Sequence, residues 1–318
     1  MCTSVLMKGE NSYFGRNMDL HYPLEKNVII TPRKYPFSFR MADKVNEHFA
    51  LIGMGMVRGG YPLYFEAANE HGLAMAGLNF PSNAYYPKET DNEKYNISPF
   101  ELIPWVLGGC RTVDDAEKLL EDTHICAIDF SSEISLSPLH WHIADRERSV
   151  VFEVTKKGQK VYKNPTNVMT NNPIFDFHLH NLALYLNLSN ENRENTFADM
   201  GVLPFSGGFG AIGLPGDFSS TSRFVKAAFL LANSNESTVS QFFHILDSVA
   251  MVKGSIKVDE SDDVTLYSSA IDFENSVYYY KTQKNNRICA VKMNGVQLDG
   301  SGLFIYSADE GQDVFFKN

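Results

Sequence analysis

The second residue is the first to suggest chemistry. The chain opens Met1-Cys2-Thr3-Ser4-Val5-Leu6-Met7-Lys8. An initiator Met is normally removed when the next residue is small, and Cys qualifies. Removal would leave a free α-amine and a thiol on one residue. The amine titrates near about 7.7–8.0 and the thiol near about 8.5 in unperturbed peptides, so the amine can take the thiol proton directly or through water. That pairing is the N-terminal variant of a nucleophile beside its own base.

Phe14-Gly15-Arg16-Asn17-Met18-Asp19 is the second candidate. A strand from residue 2 and one ending near residue 19 can pair as a hairpin turning around Lys8 to Asn11. Arg16 would then stand near the thiol and favour its ionised form, while Asp19 could hold the amine. Alternation puts Arg16, Met18 and Leu20 on one face and Asp19 on the other, so spacing alone does not bring Arg16 and Asp19 together.

Other chemistries find less support. His140-Trp141-His142 and His178-Leu179-His180 have metal-like spacing, but no carboxylate or Cys cluster with ligand spacing accompanies them. They read as structural or solvated histidines, and no metal or cofactor is expected. There is no Gly-x-Ser-x-Gly elbow, dinucleotide fingerprint or phosphate loop. Cys2, Cys110, Cys126 and Cys289 show no CxxC spacing, which fits a reduced cytoplasmic compartment, with the last three expected buried and inert.

The whole composition sets outer bounds. The chain has 318 residues, 44% hydrophobic and 21% charged, enough to bury a large core. A net charge of −10 without a basic block disfavours nucleic acid and anionic membranes as partners. No apolar run reaches the roughly 18 residues of a membrane span, and the N-terminus lacks the pattern of a secretory signal.

Positioning these residues requires alternating blocks of strands and helices. Strands are predicted at Val5-Leu6-Met7, Asn11 to Asp19, Val28-Ile29-Ile30, Phe49 to Ile52 and Gly72 to Leu78. Ser98-Pro99 opens a helix from Phe100 to Leu107 that Pro104 should bend or shorten. Thr112 caps the next, with Asp114 and Asp115 in its first turn. Strands return at Leu139 to Ile143 and Val150 to Val154, and Pro173 to Leu186 has helical spacing. Residues 187–210 read as a long polar, Gly-rich loop. Helices follow at Ser219 to Asn233 and Thr238 to Val249, then strands at Thr265 to Ile271, Ser276 to Lys281 and Ile288 to Met293. No linker interrupts this order, so residues 1–318 are read as one domain of layered α and β elements.

Several of these segments together resemble the choloylglycine hydrolase family, N-terminal-nucleophile enzymes that include bile salt hydrolases and penicillin V acylases. They are Met1-Cys2-Thr3, Phe14 to Asp19, Gly77-Leu78-Asn79-Phe80-Pro81, Thr170-Asn171-Asn172-Pro173, Gly213 to Phe224 and Phe242 to Leu246. The resemblance spans essentially the whole chain. It implies an α+β fold, a four-layer αββα sandwich of two antiparallel sheets flanked by helices. It implies Cys2 as nucleophile, Arg16 and Asp19 flanking thiol and amine, and Asn79 as oxyanion donor. Asn171 would steady the tetrahedral intermediate and Arg223 complete the polar network. Losing one oxyanion donor typically costs about 10²–10³ in rate. The choice of Asn171 over its neighbour Asn172 rests on the family pattern alone.

The resemblance also bears on substrate. Bile salt hydrolases carry Asn where this chain has Asn79, and penicillin V acylases tend to have Tyr. This implies hydrolysis of glycine- or taurine-conjugated bile salts, in a concave apolar cavity near Met18, Phe65, Phe130 and Ile134. Plain core packing is the other reading of those four. Gly208-Phe209-Gly210 resembles a loop associated with taurine conjugates, with Phe209 beside the substrate. Residues 187–210 resemble the family's assembly segment, which implies a homotetramer. The rival readings are a penicillin V acylase-type amidase, a non-catalytic steroid binder on the same fold, or a protein in which Cys2 is a redox-sensing thiol.

Overall fold

The computed structural model describes residues 1–308 and 311–318, and the elements below belong to those residues. The chain begins with β1 (Cys2–Met7), β2 (Tyr13–Leu20), β3 (Asn27–Thr31), β4 (Leu51–Arg58), β5 (Tyr61–Asn69), β6 (Ala74–Asn79) and β7 (Tyr95–Ile97). Helices α1 (Leu102–Gly109) and α2 (Val113–Glu121) follow, then β8 (Thr123–Ile125), β9 (Leu139–Ala144), β10 (Ser149–Thr155), β11 (Gly158–Lys163) and β12 (Val168–Met169). Next come α3 (Phe175–Asn181), α4 (Ser220–Ala232) and α5 (Val239–Asp247). The chain closes with β13 (Lys257–Val258), β14 (Ser261–Asp262), β15 (Val264–Asp272), β16 (Val277–Thr282), β17 (Asn285–Lys292) and β18 (Phe304–Ser307).

Two antiparallel sheets stack face to face. One runs β12-β1-β2-β15-β16-β17 and the other β11-β10-β9-β6-β5-β4-β3-β18. Helices α4 and α5 cover the outer face of the first, against β1, β12 and β15. Helix α1 covers the outer face of the second, against β4, β5 and β6. This is the four-layer αββα sandwich. One core fills the space between the sheets and under α4 and α5, and a second lies beneath α1 and α2.

The hairpin appears where alternation puts it. β1 pairs with β2 in register Cys2↔Met18, Ser4↔Arg16 and Leu6↔Phe14. β2 pairs onward with β15, where a bulge between Thr265 and Tyr267 shifts the register. Thr265 thus stands opposite Asp19 and Tyr267 opposite Met18. Bulges of this kind re-aim side chains and are common beside active sites.

Thr112 caps α2 in a reciprocal capping box with Asp115. Residues 187–208 form no helix or strand, and a 3-10 turn follows at Phe209–Ala211.

Some elements differ from expectation. The α-helix expected from Phe100 starts only at Leu102. A 3-10 turn at Pro99–Glu101 comes first, so Pro104 falls in the first turn of α1, where an N–H has no intrahelical partner to lose. β4 runs on to Arg58 through Gly53 and Gly55, which punctuate the sequence as if ending it. A side chain at Gly53 would collide with the backbone of Glu66 and Ala67, so the glycine there permits close pairing with β5. β5 itself was not expected, because both of its faces are covered and it shows no period-two pattern.

Candidate active site

Cys2 begins β1 and is buried, as is every residue of that strand. Cross-strand partners share a face, so Cys2, Met18 and Tyr267 form one row across β1, β2 and β15. Ser4, Arg16 and Ser269 form the next. Both rows look toward the second sheet.

Arg16 lies wholly buried between the sheets. Its Nη1 donates to the carbonyls of Gly77 at 2.5 Å and Phe65 at 3.3 Å. Its Nη2 reaches Met18 Sδ at 3.6 Å, and its Nε lies 3.9 Å from Glu66 Oε2. Burial works against its charge, but Cys2, Tyr267, Glu66 and Asp19 outweigh that and hold it protonated. Arg16 thus sits on the sulfur side of the strand.

Asp19 points the other way, as alternation requires. Its Oδ1 accepts from Thr265 Oγ1 at 2.6 Å, and its buried Oδ2 has no hydrogen-bond partner among the described residues. Burial raises its titration, opposed by Arg223 and the N-terminal ammonium. The structure carries Met1, whose ammonium donates to the Asp19 carbonyl at 2.7 Å and lies 3.5 Å from Asp263 Oδ2. Sequence reasoning missed Asp263 and Thr265. Their signal is weak, since Asp263 sits in a run of acids that reads as surface.

Asn171 holds the centre. Its Oδ1 accepts from Cys2 N at 2.7 Å and from Arg223 Nη2 at 2.8 Å. Its Nδ2 donates to the Asn79 carbonyl at 2.7 Å. Asn172, half-buried, instead donates to Pro81 O and makes no contact with Cys2. Arg223, on the first turns of α4, donates through Nη1 to Cys2 O at 2.5 Å and Thr3 Oγ1 at 2.6 Å. Burial pushes its titration down against the pull of Asp19, Cys2 and Asp263. The Asn79 side chain has no hydrogen-bond partner among the described residues, so its N–H groups are free to meet a ligand oxygen.

Three of the four paired histidines, His140, His142 and His178, act as braces. His178 Nε2 donates to Asn171 O at 2.9 Å, and His140 Nε2 reaches Thr170 O at 3.0 Å. His140 stacks flat on Phe80 at 4.0 Å, with Glu153 at its other nitrogen. His142 meets Ser4 and Asn164. Burial lowers His142 to about 3 and His178 to about 4, so both stay neutral. Exposed His180 caps back to Asp176 O. Cys110 and Cys126 are buried, and burial pushes Cys110 up to about 12. Cys289 is half-exposed on β17, contrary to expectation, because β17 is a sheet edge.

The apolar residues divide. Phe65, Phe130 and Ile134 line one cavity of about 100 Å³. Ligand cavities usually hold roughly 300–1,000 Å³, so the expected steroid-sized cavity is not open here. Arg40 pins this edge, donating to Phe130 O at 2.6 Å with its guanidinium over the Phe100 and Phe130 rings. Met18 belongs to the Cys2 row and does not line that cavity. Phe209 packs edge-on against Phe205 in the 187–210 segment and is not brought to the other four. A groove of about 1060 Å³ lies at the Lys8–Asn11 turn, between β1 and α4. It is at the far end of β1, about 20 Å along the strand from Cys2, and belongs to no sequence-predicted residue.

A thiol beside a buried guanidinium, an amide clamping its backbone and a free carboxamide nearby are equipped for acyl transfer. On this sandwich they define an N-terminal-nucleophile amide hydrolase. The chain belongs to the linear amide C–N hydrolases of the choloylglycine hydrolase family, whose model matches residues 2–306. It is 46% identical over 313 residues to a bile salt hydrolase/transferase of Lactiplantibacillus plantarum, covering 96% of each chain. It is 38% identical over 321 residues to a bile salt hydrolase/transferase of Clostridium perfringens, again covering 96% of each. The structure of a variant of conjugated bile acid hydrolase from Clostridium perfringens matches with a TM-score of 0.94 at 35% identity, covering 100% of both chains. A penicillin V acylase structure from Agrobacterium tumefaciens shares the fold, with a TM-score of 0.74 at 20% identity over 96% of this chain and 90% of that one.

Proposed function

We propose that this protein hydrolyses the amide bond of glycine- or taurine-conjugated bile salts, using Cys2 as its mature N-terminal nucleophile. The observation that carries the reading is the clamp on Cys2. Asn171 holds its nitrogen, Arg223 holds its carbonyl, and Arg16 lies on the sulfur side. The relatives at 46% and 38% identity bear bile salt hydrolase names.

Loss of Met1 turns the Cys2 N–H into an amine. Asn171 Oδ1 already accepts from that nitrogen, and the unpartnered Asp19 Oδ2 supplies a second acceptor. The amine takes the thiol proton, and the thiolate attacks the amide carbon. The Asn79 side chain stabilises the oxyanion, with Asn171 holding the Asn79 backbone in place. The C–N bond breaks, the amine returns its proton to the departing glycine or taurine, and a thioester remains. Water hydrolyses the thioester, releases free bile acid and restores the thiol. The steroid occupies an opened form of the cavity at Phe65, Phe130 and Ile134, with Met18 beside the sulfur. Gly208-Phe209-Gly210 inclines the site toward taurine conjugates.

The chain works as one domain of 318 residues. Its unpaired cysteines suit the cytoplasm, and no helix among the described residues is long and apolar enough to cross a membrane. Residues 187–210 join copies into a homotetramer. The test of activity is an equal mixture of glycocholate and taurocholate, followed by mass spectrometry. Free cholate, with taurocholate consumed first, is expected. Cleavage of penicillin V with both conjugates untouched would make this a penicillin V acylase. Bile salt bound without hydrolysis would make it a binding protein.

A further inference from the structure

Between the sheets lies a carboxylate that the mechanism above does not use. Glu66, on β5, is wholly buried. Every polar neighbour it has comes from the opposite sheet. Tyr278 donates to Oε1 at 2.5 Å, Ser269 to Oε1 at 3.0 Å and Tyr267 to Oε2 at 2.8 Å. Arg16 Nε stands 3.9 Å away. Burial raises the titration of Glu66, and the guanidinium of Arg16 with the hydroxyls of Tyr278, Tyr267 and Ser269 opposes that and favours the anion. Burying an anion is expensive unless a cation and hydrogen bonds compensate it, and this one has both.

Arg16 is therefore shared. Its Nε faces Glu66, and its Nη2 reaches Met18, the cross-strand partner of Cys2. Tyr267 bridges the two, since it pairs across β2 in the Cys2 row and donates to Glu66. We propose that Glu66 is a positioning residue, which divides the charge of Arg16 with the Cys2 sulfur and so sets the pH at which Cys2 becomes a nucleophile. The inference rests on Cys2 being the nucleophile, but not on which amide is cleaved.

Other charged groups around the sulfur bound the effect. Arg16 shares its face of the sheet from β2 and Tyr267 from β15, with Tyr22 beyond the end of β2, while Asp19 and Arg223 lie on the other face of the hairpin. The Met1 ammonium and Asp263 lie near Asp19. None of these except Arg16 and Tyr267 contacts Glu66, so altering Glu66 leaves them in place. Removing a buried anion beside a shared cation leaves more of that cation's field for the thiolate.

The test is a pH titration of Cys2 thiolate absorbance, read as the difference from a Cys2→Ser baseline, which needs no substrate. Glu66→Gln should move the midpoint down by about one pH unit. Glu66→Asp, whose carboxylate retreats by one methylene, should move it in the same direction by less. Should the first variant fail to fold, the second still decides. Unchanged or raised midpoints, with only thermal stability lost, would overturn the proposal. Such a result would leave the hydrolase reading standing, because that reading is judged on released bile acid.

Discussion

A primary amide offers two acceptor lone pairs and two N–H donors. At Asn171 the protein uses three of these four, on Cys2, Arg223 and Asn79. This side chain therefore joins the backbone of Cys2 to that of Asn79. Asn171→Ala should lower kcat/KM by about a hundredfold through misplacement of Cys2. It should also destabilise the fold by about 1–3 kcal/mol, since Arg223 and two backbone groups lose a buried partner. Asn171→Asp keeps an acceptor for Cys2 and Arg223 but loses the donor to Asn79, so it should recover stability more than rate. Steady-state kinetics with thermal unfolding would show this split, and a fully active Ala variant would contradict it.

At the scale of elements, the hairpin was legible because it is local. Period-two alternation placed Arg16 on the face opposite Asp19, and β1–β2 pairing bears that out. The helix cap at Thr112 was legible for the same reason. What sequence could not give was the inter-sheet contact. Glu66 meets its partners from 201 to 212 residues away, and no spacing rule reaches that far. One signal was available: a lone acid within Leu63-Tyr64-Phe65-Glu66-Ala67-Ala68 must be buried with a partner. The β15 bulge that brings Thr265 to Asp19 left no mark in composition. The contact of Arg40 with Phe130, 90 residues apart, lies equally beyond spacing rules.

The 187–210 segment makes its own prediction. Phe197, Leu203 and Phe205 are 88%, 79% and 91% exposed, an arrangement water disfavours and a neighbouring copy would cover. Replacing all three with Ser should convert a tetramer to smaller species in sedimentation velocity. An unchanged mass would remove this segment from assembly.

Across the whole molecule, the sandwich gives the site its electrostatics. Two facing sheets exclude water from Arg16 and Glu66, where a charge pair is felt more strongly than at a surface. The helix layer delivers Arg223 to the opposite face of β1, so the start of that strand is held between two buried guanidinium groups. Neither sheet alone could do this. The net charge of −10 is spread elsewhere and does not set the local field.

Everything rests on Cys2 carrying the acyl group after Met1 is lost. The most direct measurement mixes the enzyme with glycocholate, quenches it in acid before turnover completes, and takes the intact mass and peptide map. The expected result is a protein lacking Met1, with a cholyl group on the N-terminal Cys2 peptide. Turnover by a protein that retains Met1, or a cholyl group on any other residue, would contradict the account.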